Sequence, residues 1–363
     1  MNALSWTTAL PQSGDLCSTF VLRQGDTFII GHNLDESFHV PGVIVVNKRG
    51  VRKTSVSLME MLTGQPSPSP TTSWTSKYGS LTLCPFGREF PDGGINEAGL
   101  YIQEMTLPDT RFPENDDLPK MFMMQWMQYQ LDNHESVEQV LATLSQIMLD
   151  GWTWHFFTCD KSGNCAAIEF VEGQTHIYTG DDMPIPVLCN TAYPEELDNL
   201  KGYQGFGGDK PIDLKDKETE RFVHAAHLVA QLDQAQPIDY GFDILRTLER
   251  GGTQWSYVID VQAGQVSFFT AQATGRKHFA LGAFDYSCDT PVQVLDIHAD
   301  LEGDVTAQFA DYAPEPNRQL VRAQVESLDR NGDVTRLAES FGNSLSNVVD
   351  AISGYSDTTR CMT

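Results

Sequence analysis

Short apolar runs joined by tight turns fill most of the first hundred residues, and sustained helical periodicity does not begin until Met121. The stretch "CSTFVLRQGDTFIIGHNLD", residues 17–35, reads as two strands around a turn at Gln24-Gly25-Asp26, a hairpin signal. "VIVVNKRGV" continues in the same style. The Pro/Ser-rich "TGQPSPSPTTS", residues 63–73, can only be a loop, and "WTSKYGSLTL" and "AGLYIQEMTL" then resume strand character. Strands delivered as hairpins pair antiparallel, because a parallel pair needs a crossover of a dozen or more residues.

From Met121 the pattern turns helical. "MFMMQWMQYQLDN" is apolar around much of its circumference, so Met121, Met123, Met124 and Met127 read as core in preference to an acyl pocket. "SVEQVLATLSQIM" follows, with Ser136 and Gln139 spaced as a capping box. Three short strands come next, from "WTWHFFTCDKSGNCAAIEFVEGQTHIYTG", and a fourth in "PVLCNTAYP". Cys159 and Cys165 flank the turn "DKSGN" and read as two buried thiols. Helices in "ETERFVHAAHLVAQL" and "DYGFDILRTLERG" precede a return to strands in "QWSYVIDVQAGQVSFFTA". Blocks of strands and helices, without regular βαβ alternation, predict an α+β fold with antiparallel sheets and a segregated helical layer. The polar segment 329–363 reads as a peripheral extension.

With 24 basic against 49 acidic residues the formal charge is -25, which disfavours nucleic acid and anionic membranes as partners. No stretch approaches the roughly 18 uninterrupted apolar residues of a membrane span. The start "MNALSWTTALPQSGDL" lacks the basic and apolar regions of a secretory signal, so the location reads as cytoplasmic on these residues and periplasmic if an export signal has been trimmed. Seven scattered cysteines are not the framework of a small disulfide scaffold. No Cys/His cluster has zinc spacing, and "DRNGD" at 329–333 lacks the spacing and closing glutamate of a calcium loop, so no metal and no cofactor are assigned. A homo-oligomer is compatible with the sequence.

A turn centred on Gly25 makes opposed residue numbers sum to about 50, which sets Cys17 across from Asn33 with His32 and Asp35 nearby. Taken alone, a cysteine at the mouth of a strand is more often packing than chemistry. A thiol flanked by an acid, an amide and an imidazole is nevertheless a reactive-site candidate, because polar neighbours control thiolate formation.

Five separated motifs, "CSTFVL…GHNLD", "WTSKYGS", "GGINEAGL", "VLCNTAYP" and "ERFVHAA", resemble in order and spacing the choloylglycine hydrolase and penicillin V acylase family, linear-amide hydrolases of the N-terminal nucleophile superfamily. The resemblance runs from Cys17 to about Asn317. It implies an αββα sandwich, two antiparallel sheets between helical layers, and three parts: a leader at 1–16, a hydrolase domain at 17–328 and the extension at 329–363.

The resemblance also implies roles. Cys17 matches the nucleophile that becomes the first residue of the mature chain, so that its own amine serves as base; a terminal amine has a pKa of about 7.7–8.0. Asp35 matches the aspartate that orients that amine, Asn190 an oxyanion-hole asparagine, and Arg221 an arginine supporting the site from a helix start. Thr106 falls where the family has a second oxyanion donor, through its backbone. His32 stands where the family usually has arginine, in "GHNLD". Either its titration shapes the pH profile of activity, or another cation such as Arg88 compensates. The implied substrate is a small N-acyl amide of bile-salt, penicillin V or another acyl-amide type, bound in an apolar pocket formed by the loops around 54–74 and 105–120. Two alternatives stay open: an acyltransferase using the same cysteine, and a non-catalytic binding protein that keeps residues 1–16.

Overall fold

A computed structural model describes residues 17–232 and 236–362. The expected leader, 1–16, lies outside the described residues.

The first hairpin pairs Ser18–Gln24 with Thr27–Asp35 through a two-residue turn, Gly25-Asp26, in which Gly25 has φ +58°. That positive φ is what a tight hairpin turn of this length requires and glycine supplies without strain. The short turn fixes the register at Ser18 opposite Asn33 and Thr19 opposite His32. Cys17 is therefore not opposite Asn33 as the three-residue turn implied. The pairing is shifted by one residue, and in a strand one residue means the other face.

This hairpin lies within a seven-stranded sheet, running Val187–Leu188, the two hairpin strands, Thr253–Asp260, Gln265–Thr270, Lys277–Ala280 and Gly303–Asp304. Only the last pairing is parallel. A second, nine-stranded antiparallel sheet contains Gln174–Thr179, Cys165–Val171, Trp154–Cys159, Tyr101–Thr106, Gly93–Asn96, Ser80–Cys84, Val43–Asn47, Gln293–Asp296 and Ala310–Asp311. The two sheets face each other: the Tyr257 hydroxyl meets that of Tyr101 at 2.8 Å and donates to Gln103 Oε1 at 2.6 Å. Helices Arg221–Val229 and Pro237–Leu248 cover the first sheet, and Met123–Asn133 covers the second. The order helix, sheet, sheet, helix is the expected αββα sandwich.

One core fills the space between the sheets and under the first helical layer; the other lies beneath the second. Met121, Met123, Met124 and Met127 are all fully buried in the second. Two corrections to the sequence reading concern cysteines and the C-terminal segment. Cys159 and Cys165 form a disulfide, because the turn makes them the closing pair of their hairpin, directly opposite one another. The extension is not peripheral either: helices Asp333–Ser340 and Leu345–Thr358 bury Val334, Leu337, Val348, Val349 and Ile352 in the second core. Its end, Arg360–Cys361, pairs with Val51–Thr54 and is tied to Cys288 by a second disulfide.

Candidate active site

Cys17 precedes the first strand by one residue and is 2% exposed, with Sγ 3.9 Å from the Asp35 carbonyl. The described cysteines outside the two disulfides are Cys17, Cys84 and Cys189. Burial pushes the Cys189 thiol up to about 12 and the Cys84 thiol well above its usual range. Thiolate is the reactive form, so neither competes as a nucleophile near neutral pH.

Arg221 organises the site. It opens a helix on the outer side of the first sheet, and its Nη1 donates to the Cys17 carbonyl and, at 2.6 Å, to Ser18 Oγ. Its Nη2 donates to Asn190 Oδ1 at 2.8 Å. Asn190 in turn donates through Nδ2 to the Thr106 carbonyl at 2.7 Å. One planar guanidinium thus fixes the cysteine backbone and the Asn190 amide relative to each other, a fork that lysine has no geometry to copy. Asn190 Nδ2 carries two hydrogens, of which Thr106 takes one. The contact seen for Thr106 is this carbonyl, not the backbone donor that the resemblance implies.

Asp35 ends the second hairpin strand, opposite Thr253. It is 2% exposed, and neither carboxylate oxygen makes a hydrogen bond of ordinary geometry. Burial lifts its pKa from 3.8 to about 6; the Thr253 hydroxyl, Arg221 and Arg250 oppose the rise and Glu249 adds to it. A buried carboxylate short of partners is costly unless a cation joins it.

Two residues do not sit as expected. His32 is fully buried, holds Thr19 Oγ1 at 2.7 Å through Nδ1, and packs on Tyr257 with ring centroids 5.2 Å apart. Burial pushes its pKa down to about 3, so it is neutral throughout the physiological range and cannot replace a cation. Nor does Arg88 compensate: it is bound to Glu89 at 3.1 Å and to Thr359 at the C-terminal helix. The cation at Cys17 is Arg221. Asn33 is spent on the scaffold, donating to the Leu245 carbonyl at 3.0 Å and accepting from Ser256 Oγ at 2.7 Å.

Other contributors escaped the sequence reading. Ser18 is a ligand of Arg221, Cys189 Sγ lies 3.8 Å from Ser18 Oγ, and Arg250 caps the Pro237–Leu248 helix beside Asp35. Glu196 is a buried carboxyl near Arg221, pushed up to about 8 chiefly by burial. Ser18 and Cys189 at least lie inside the quoted "CSTFVL" and "VLCNTAYP" motifs; Arg250 and Glu196 have only ordinary local sequence. The segments 54–74 and 105–120 do border a cavity of about 1000 Å3, with Leu58, Leu62 and Phe112 in its wall. It opens on the outer side of the nine-stranded sheet, beside Leu149 and Leu337 of the second core, and Cys17, Asp35, Asn190 and Arg221 do not line it.

Residues 17–236 match the linear amide C-N hydrolases, choloylglycine hydrolase family, and the chain belongs to that family. It is 27% identical over 179 residues to a penicillin V acylase of Pectobacterium atrosepticum, a match spanning 44% of this chain and 47% of that protein, so about half of the relative's length is represented. Its fold resembles that of penicillin V acylase from Agrobacterium tumefaciens, with TM-score 0.71 and 23% identity, covering 82% of this chain and 98% of the other. It also resembles a variant of conjugated bile acid hydrolase from Clostridium perfringens, with TM-score 0.63 and 16% identity, covering 77% and 97%.

Proposed function

We propose that the chain is a hydrolase of linear N-acyl amides whose nucleophile is the Cys17 thiolate, acting after the Leu16–Cys17 peptide bond has been cut. The observation that carries this reading is the convergence at Cys17: Arg221 joins its carbonyl to the Asn190 amide, while its Sγ lies 3.9 Å from the backbone carbonyl of Asp35, whose buried carboxylate is poor in partners. Cutting that bond creates a terminal amine at Cys17, a further cation for the buried Asp35, whose carboxyl stays raised to about 6 despite Arg221 and Arg250. The family match opening at residue 17 agrees with this boundary.

The thiolate attacks the amide carbonyl, and the second Nδ2 hydrogen of Asn190 stabilises the developing oxyanion. The protonated Cys17 amine then gives its proton to the leaving nitrogen as the C–N bond breaks, leaving a thioester. Water adds to the thioester with the amine now taking its proton, and the acid is released with the thiol regenerated. Losing one oxyanion donor costs about 10²–10³ in kcat, the loss expected for Asn190→Ala.

The names of the relatives nominate two probes, penicillin V and a conjugated bile acid. The test is product analysis with each probe, with and without added amine acceptors. Free acid plus amine from wild type, and none from Cys17→Ala, supports hydrolysis; a new amide formed with the acceptor identifies a transferase instead. Turnover that persists in Cys17→Ala rejects the nucleophile. The two disulfides fit folding in an oxidising compartment and favour the periplasmic of the two locations.

A further inference from the structure

We infer that His155 and Glu169 are positioning residues for Asn190: their buried pair grips both ends of the segment 189–193 and sets the asparagine against the nine-stranded sheet. The inference rests on the proposed hydrolase reading, in which Asn190 is the oxyanion donor.

The two residues lie on neighbouring antiparallel strands, Trp154–Cys159 and Cys165–Val171, and the pairing of Phe156 with Ile168 sets them directly across from each other. Both are buried, at 0% and 1% exposure. His155 Nδ1 is 3.2 Å from Glu169 Oε1, and His155 Nε2 is 2.7 Å from the Cys189 carbonyl. Glu169 Oε1 also accepts the Tyr193 N–H at 2.8 Å. The pair therefore holds the carbonyl at one end of the five-residue segment and the N–H at the other.

Between these two grips stands Asn190, whose amide spans the Thr106 carbonyl and Arg221. Thr106 is the cross-strand partner of Trp154, the residue before His155. These anchors thus come from one end of one sheet, while Arg221 and Ser18, which Cys189 Sγ meets at 3.8 Å, reach the segment from the other side. Residues 189–192 belong to neither a strand nor a helix, so regular structure does not fix their position.

Hydrogen-bond chemistry limits what can replace the pair. A carbonyl only accepts, so Nε2 must carry hydrogen, and the contact from Nδ1 to Oε1 needs one further proton shared between ring and carboxyl. Glu169 Oε2 is buried without a partner. A polar pair with an orphaned oxygen, at facing buried positions, is a poor choice for stability alone, since well-packed apolar residues often do as well or better. What apolar residues cannot do is hold a carbonyl and an N–H. An error of about 1 Å in placing a catalytic group costs on the order of 10² in rate, so the grip has kinetic value.

The test is a double-mutant cycle on whichever amide probe the wild type turns over. His155→Phe is expected to lower kcat about 10- to 100-fold with KM within about threefold, because an oxyanion donor acts in the transition state. His155→Gln, whose amide can still donate to the Cys189 carbonyl, should recover at least about tenfold of that loss. In an Asn190→Ala background His155→Phe should cost less than about twofold. An equal loss in both backgrounds overturns the inference while leaving the hydrolase reading intact; an Asn190→Ala variant with unchanged kcat removes the oxyanion reading itself. Hydrogen exchange supplies an arm independent of turnover. In a Glu169→Leu variant, which removes the acceptor of the Tyr193 N–H, the Tyr193 amide should exchange at least about tenfold faster, with strands 154–159 and 165–171 unchanged, and unchanged exchange at Tyr193 overturns the inference.

Discussion

Asp35 shows what the site demands of a single side chain. In the chain that still carries residues 1–16, its folded pKa of about 6 lies above its ordinary 3.8, so the folded state holds its proton more tightly than the unfolded one. Stability therefore falls as pH rises from 4 through 6, by about 3 kcal/mol in full. In a Cys17→Ala background, where the leader is expected to stay, Asp35→Asn should raise the melting temperature above pH 6 and leave it unchanged below pH 4. A melting temperature shifted equally at all pH values contradicts this account of Asp35. His32 carries the opposite expectation. Being neutral above about pH 3, it leaves both limbs of the pH–rate profile between pH 5 and 9 unmoved in His32→Ala, while the vacated volume against Thr19 and Tyr257 lowers stability by about 2 kcal/mol. At this scale the sequence was informative about which residues the fold gathers: Cys17, Asp35, Asn190 and Arg221 are brought together around the Arg221 guanidinium. It was misleading for His32, because a reference pKa says nothing about burial, and for Asn33, whose face depends on the register.

Among elements, the first hairpin was legible as a hairpin but not in its pairing. Gln24-Gly25-Asp26 admits either a two- or a three-residue turn, and the choice moves every partner by one and every side chain to the other face. The cross-strand disulfide Cys159–Cys165 was hidden for a related reason, since facing positions on a hairpin are visible in a sequence and oxidation is not. The disulfide Cys288–Cys361 could not be read at all, because its halves are 73 residues apart and meet only through tertiary packing. Closing a loop of that length restricts the unfolded chain by up to about 4 kcal/mol on a chain-entropy model. Cys361→Ser is therefore expected to lower the melting temperature by several degrees and leave kcat within about twofold, since none of the contacts it loosens touches Cys17, Asn190 or Arg221. A melting temperature unchanged by the substitution would show that packing of the C-terminal helices alone holds that end.

Across the whole molecule, block order in the sequence was enough for antiparallel sheets with a segregated helical layer, because hairpin-linked strands rule out regular βαβ alternation, while the four-layer sandwich came from the family resemblance. The C-terminal extension was misjudged because its mean polarity conceals helices with one apolar face, which bury Val334, Leu337, Val348, Val349 and Ile352 against the second core. The acyl group is legible neither in the sequence nor in the fold: the loops expected to bind it border a cavity that Cys17 does not line. What unites the fold and the proposed chemistry is the state of residue 17. In the proposed reading, buried Asp35, forked Arg221 and gripped Asn190 form a working site once Cys17 is a chain terminus. Intact-mass measurement of the purified protein, wild type beside Cys17→Ala, reads that state directly. The wild type should have lost residues 1–16 and begin at Cys17, while Cys17→Ala should retain Met1 to Leu16. A wild-type chain that keeps residues 1–16 and still hydrolyses an N-acyl amide contradicts the terminal-amine mechanism.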